Sequence, residues 1–213
     1  RQMLATAYTT LHDSTNQTHT YVLLAQYYSK PDYWAMLIHN LVADPNMSPP
    51  LVFAVERLRL ATGVLKDPSD YQDMAERAVQ MGLSQLALNL LNQGYANHSL
   101  GNGAQAPAQA KFHAFVAQHA ATERAQLPAA AAQAETASTA GPALTAGYNQ
   151  VLSGQADQGL ALMQKGLAKN PRFPDLAQLQ FGMAQMDAGR KADAIETLGA
   201  VSGTGSAHDI AQL

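Results

Sequence analysis

Two stretches of this chain repeat one another at a fixed interval. Gly147 and Gly182, Gly154 and Gly189, Gly159 and Ala194, and Met163 and Leu198 each stand 35 positions apart. A matched set at one offset constrains the fold more than any single motif, because a repeat is one supersecondary unit that cannot bury its apolar face alone. Within the later copy, Leu179, Met183 and Met186 recur at helical spacing, Gly189 interrupts, and Ala192, Ile195, Leu198 and Val201 resume the pattern. Glycine directly after a helix supplies the left-handed residue that closes it without a Cβ clash. Small residues at 182 and 194 let the two helices approach closely. Each copy reads as an αα-hairpin, and no strand pattern competes anywhere, so the expected class is all-α.

This spacing resembles the tetratricopeptide repeat. Counted from Ala140, Gly147, Gly154, Gly159, Met163 and Pro171 fall on that repeat's small, turn, small, apolar and proline places. From Asp175 the matches are Phe181, Gly182, Gly189, Ala194 and Leu198, and from Pro68 they are Tyr71, Met74, Ala75, Gly82, Ala87, Leu91 and Gly94. From Pro31, Trp34, Leu37 and Leu41 fit a first helix, with the second, roughly 50–62, displaced by the insert ADPNMSPP. Leu4, Ala5 and Tyr8 fit a unit whose start is cut off. The resulting register is 1–30 (truncated), 31–67, 68–103, 104–139, 140–174 and 175–209. The 104–139 unit is degenerate: it is alanine-rich, carries little of the signature, and is expected to break at Pro128. Proline at 31, 68, 107 and 142 sits near the proposed first turns, where its missing N–H costs nothing. The chain opens at Arg1 and stops at Leu213 within a helical pattern, and it is read as a mature or excised piece of something longer. The resemblance implies an αα-hairpin solenoid, a right-handed superhelix with a concave groove lined by the first helix of each unit.

Carried onto this chain, the groove places of that family give His39, then Gln72 and Glu76, then Leu144, Tyr148 and Leu152, then Leu179, Met183 and Met186. Members that hold a peptide's terminal carboxylate use lysine and asparagine there. This chain has Ala35 and His39, Gln72 and Glu76, Leu144 and Tyr148, Leu179 and Met183, so that clamp is absent. The groove that remains is polar at the front and apolar at the back. It suits an amphipathic helix or an extended apolar segment of a protein or peptide partner. The same apolar residues would equally serve to pack one helix of the chain on the next.

Composition narrows the alternatives. A formal charge of −3 with no cluster of lysine and arginine gives no footprint for phosphate, so no nucleic acid is expected. Polar residues interrupt every apolar run well short of the roughly 20 residues a bilayer crossing needs, so no membrane-spanning segment is expected. The absence of cysteine removes disulfides, cysteine-based zinc sites and thiol nucleophiles. It also suits an oxidising compartment, which points to a bacterial periplasm or cell envelope, with the cytoplasm as the alternative. His113 and His119 are six apart and His12 and His19 seven, and no HExxH occurs. Asp70, Asp73 and Glu76 share a helix side that reads as a solvated face. Neither a phosphate loop nor a GxSxG elbow appears. The expectation is therefore no catalytic residue, no cofactor and no metal, in a non-catalytic interaction scaffold. One alternative is a helical spacer within a larger envelope or secretion protein. Another is a small-molecule binder or enzyme, which would need a closed pocket around His39, Glu76 and His113.

Overall fold

The computed structural model describes residues 2–11, 13–28, 30–42, 47–65, 67–203 and 205–213. Among these the chain is all-helical, with twelve α-helices and no strand. It divides into two compact units, residues 1–66 (to which Leu213 is joined) and 67–212.

The first unit holds α1 (Gln2–Thr10), α2 (Ser14–Tyr28), α3 (Pro31–Val42) and α4 (Pro49–Ala61), each packed on the next. The backbone N–H of Asn16 donates to Asp13 Oδ1 at 3.1 Å, and its Nδ2 donates to Asp13 Oδ2 at 2.7 Å. Asp13 thereby caps α2, and these bonds from Asn16 hold its carboxyl below the ordinary carboxylate value. Prolines at the first turns of α3 and α4 lack only a donor that would have been orphaned. Leu24, Ala25, Tyr33 and Leu37 form one buried cluster, and Phe53, Ala54 and Val55 of α4 are buried. Four residues of the insert, 43–46, lie outside the described residues, as do His12 and Lys66.

The second unit holds α5 (Pro68–Gln80), α6 (Ser84–Ala96), a 3-10 turn (Gly103–Gln105), α7 (Ala106–Thr136), α8 (Ala140–Leu152), α9 (Ala156–Leu167), α10 (Pro174–Asp187), α11 (Lys191–Gly199) and α12 (Ser206–Ala211). Three hairpins, α5–α6, α8–α9 and α10–α11, turn in the same way. Their turn glycines Gly82, Gly154 and Gly189 have φ of 72°, 87° and 74°. In each, the following N–H returns to a carbonyl of the first helix: Leu83 to Ala78 at 2.8 Å, Gln155 to Gln150 at 2.9 Å and Arg190 to Gln185 at 2.8 Å. Glycine occupies this place because a Cβ at such φ is strained.

Equivalent sequence positions do not give identical contacts. In α8–α9 two glycines face each other: a Cβ on Gly159 would stand 2.3 Å from the Gly147 carbonyl oxygen, and one on Gly147 would stand 2.6 Å from the Gly159 oxygen. In α10–α11 a Cβ on Gly182 would meet only the Leu198 side chain, at 2.5 Å, and the partner position is filled by Ala194, fully buried. The first hairpin is closed backbone to backbone, the second through a side chain.

The segment 104–139 departs from expectation. The break expected at Pro128 does not occur, and α7 runs unbroken for 31 residues. Proline there removes the bond to the Arg124 carbonyl and crowds it, at about 3 kcal/mol in a helix interior. Tertiary anchors on both sides outweigh that cost. Upstream, Val116 and Ala120 are buried, and Arg124 donates to Gln85 Oε1 at 2.6 Å. Leu127, directly before the proline, is buried too, and downstream Ala134 is buried among Ala143, Ala146 and Leu162. Lys169 Nζ donates to the Ala134 and Ala137 carbonyls at 3.0 and 2.8 Å, closing the C-terminal end of α7 where a cation is favoured.

Helix α6 starts without a side-chain cap of its own, since Leu83 stands at its N-cap. Glu123 of α7 supplies one from outside. Its Oε2 accepts the Ser84 backbone N–H at 3.0 Å and its Oε1 accepts the Ser84 hydroxyl at 2.6 Å. Ser84 is fully buried, so losing Glu123 leaves two buried donors without partners. Glu123→Ala is expected to cost the second unit about 1–3 kcal/mol, with Glu123→Gln recovering part of it, as read from thermal unfolding.

Candidate functional site

The first helices α5, α8 and α10 carry eight of the nine groove residues drawn from the sequence, while His39 is exposed on α3 of the first unit. Along α10, Leu179, Met183 and Asp187 follow at intervals of four and so share a face, with Met186 one turn beyond Met183. Tyr148 Oη of α8 donates to Asp187 Oδ2 at 2.6 Å, which brings the apolar stripes of α8 and α10 side by side. Burial within this set is uneven. Leu144, Tyr148 and Leu179 are 9%, 4% and 2% exposed, so the chain itself covers them. Leu152 and Met183 are half-buried, and Met186 is 46% exposed. On α5, Gln72 is half-buried and Glu76 exposed. Within this set the second unit therefore leaves Leu152, Met183 and Met186 accessible, with Gln72 and Glu76 on α5.

Clefts open on the second unit among its described residues. One of about 330 Å³ lies between α7 and α8, lined by Glu123, Leu127, Ala134, Thr145 and Asn149 among others. A second of about 610 Å³ lies between α8 and α10, bounded by Leu144, Lys169, Arg172, Phe173, Leu176 and Gln180. The Arg172 guanidinium there sits 5.2 Å from the centre of the exposed Phe173 ring. A third of about 390 Å³ is bounded by α7, α8 and α9 and includes Gln150, Gln158 and the Lys165–Glu135 ion pair at 2.6 Å. The hydrogen bond from Lys165 holds the Glu135 carboxyl below its ordinary value. Neither Glu76 nor His113 lines any of these clefts.

Three of the four histidines of the second unit, His113, His119 and His208, are engaged structurally. His113 Nε2 bonds Asn92 Oδ1 at 2.7 Å, and its ring meets Tyr95 edge-on at 5.2 Å. His119 packs its ring on Phe115, 4.4 Å between centroids, and His208 Nδ1 donates to the Val201 carbonyl at 2.7 Å. Among the described residues no group of three or more His, Cys, Asp or Glu is placed to hold a metal ion, and no helix is long and apolar enough to cross a membrane.

One repeated feature of the second unit is a pair of buried glutamines. Gln150 and Gln185 stand at the same place in their repeats, are 8% and 7% exposed, and bury an Oε1 that makes no hydrogen bond. The 35-residue interval between them was visible in the sequence. Their burial was not, because glutamine at a helical position reads as surface.

No protein-family model, curated protein or solved structure matches this chain.

Proposed function

We propose that this chain is a non-catalytic interaction scaffold of the tetratricopeptide-repeat type, its hairpins stacking as a right-handed αα-solenoid. On this reading it holds a protein or peptide partner against the first-helix face of the second unit, within a bacterial envelope assembly. The observation that carries the reading is the repeated hairpin. Three left-handed glycines close three turns with the same backbone bond, and the 35-residue interval of Gly147 and Gly182 falls in each hairpin on a point where the two helices touch, though through different atoms. The partner-facing surface on this reading is Leu152, Met183 and Met186, a thioether-rich strip able to adapt to an apolar segment. The burial of Leu144, Tyr148 and Leu179 favours a second reading, a helical spacer whose first helices serve one another.

The test is differential capture by the whole chain from the native extract. Met186→Asp places a charge on the proposed strip without entering the core. Ile195→Asp makes the same change on α11, at a residue 71% exposed and outside the strip. The scaffold reading expects a discrete partner whose retention falls roughly tenfold or more with Met186→Asp and is unchanged with Ile195→Asp. Equal retention by both variants would remove the site, and the absence of any discrete partner would favour the spacer.

A further inference from the structure

Of the asparagines in this chain, Asn102 alone is followed by glycine. An asparagine loses its amide when the backbone nitrogen of the next residue reaches its own Cγ, and a Cβ on that next residue obstructs the approach. Gly103 carries none, and the position its Cβ would take is open, with nothing within 4 Å. Gly101 and Gly103 hold φ of 86° and 68° on either side of Asn102, and all three residues are exposed. The other asparagines of the same neighbourhood differ. Asn92 lies within α6, where the helix fixes the following nitrogen, and Asn97 is followed by His98.

We infer that Asn102–Gly103 is a site of spontaneous covalent modification, where the chain converts an amide into a carboxylate at the entry to α7. The Gly103 nitrogen gives its proton to water and attacks Asn102 Cγ. The Cγ–Nδ2 bond breaks, the nitrogen leaves as ammonia, and a five-membered succinimide remains. Water then adds to either ring carbonyl and opens it, giving aspartate or isoaspartate. Overall one water is consumed and one ammonia released, with no oxidant or reductant.

The consequence is local and electrostatic. Asn102 Nδ2 donates to the His98 carbonyl at 2.9 Å. The product replaces this donor with a carboxylate that faces the same carbonyl and repels it. His98 itself holds a positive φ of 61°, which that bond helps maintain. The isoaspartyl product also lengthens the main chain by one carbon between Gly101, whose N–H donates to Gln109 Oε1 at 2.8 Å, and the start of α7.

The folded full chain is held at mildly alkaline pH and sampled by peptide mass mapping, with sites assigned by fragmentation. Asn102 is expected to gain one mass unit roughly tenfold faster than Asn92 or Asn97. Both aspartyl and isoaspartyl products should form, with ammonia released in step, and Asn102→Gln should remove the signal. Conversion of Asn97 at an equal rate would overturn the assignment. So would an Asn102 that persists in the folded chain and converts only in denaturant, since the His98 bond would then protect the residue.

Discussion

Gly159→Ala is expected to destabilise the second unit by about 3 kcal/mol or more, a fall of roughly 6–12 °C in its melting temperature at this chain length. The sign makes the test sharp. Alanine outranks glycine by about 1 kcal/mol in a helix interior, so at an unconstrained position this change stabilises. At 159 the new Cβ stands 2.3 Å from the Gly147 carbonyl oxygen and 2.7 Å from the Val151 backbone nitrogen. Both atoms belong to α8 backbone and cannot swing aside, so the helices must separate and strip contact from Met163, which is fully buried. Gly182→Ala meets the Leu198 side chain instead, which can change rotamer, and should cost less. Gly141→Ala, in the first turn of α8 with nothing within 4 Å, is the internal control and should be neutral or stabilising.

Pro128→Ala is expected to raise stability, by about 1–3 kcal/mol. The residue is exposed and α7 continues through it, so alanine restores an N–H for the Arg124 carbonyl without disturbing the buried positions Leu127 and Ala134. Thermal unfolding together with amide exchange at residue 128 reads both effects. A neutral or destabilising result would mean that α7 needs a bend at this point to reach α6 and α8–α9 together.

The hairpins were legible because their determinants are local. Turn glycines at 82, 154 and 189 need left-handed φ, and small residues at 147, 159 and 182 stand where helices touch. Both requirements leave a mark at a fixed interval. Segment 104–139 was not legible, because proline propensity predicts a stop while the anchors that overrule it, Glu123 on Ser84 and Lys169 on the α7 carbonyls, lie 39 and about 35 residues away in sequence. The candidate groove was legible as a list of positions but not as a surface. Tyr148 and Met186 look alike in an apolar stripe, yet one is 4% and the other 46% exposed. What separates them is the Tyr148–Asp187 hydrogen bond between helices, which no pattern within a single repeat contains.

On the proposed reading, Met186 of α10 and its neighbours Leu152 and Met183 meet a partner. The most direct test is a photo-reactive phenylalanine analogue placed at 186, or at 195 as control, in the cell that makes the protein. The scaffold account predicts a discrete adduct from position 186 and none from 195. No adduct at 186, or the same adducts from both positions, would contradict it.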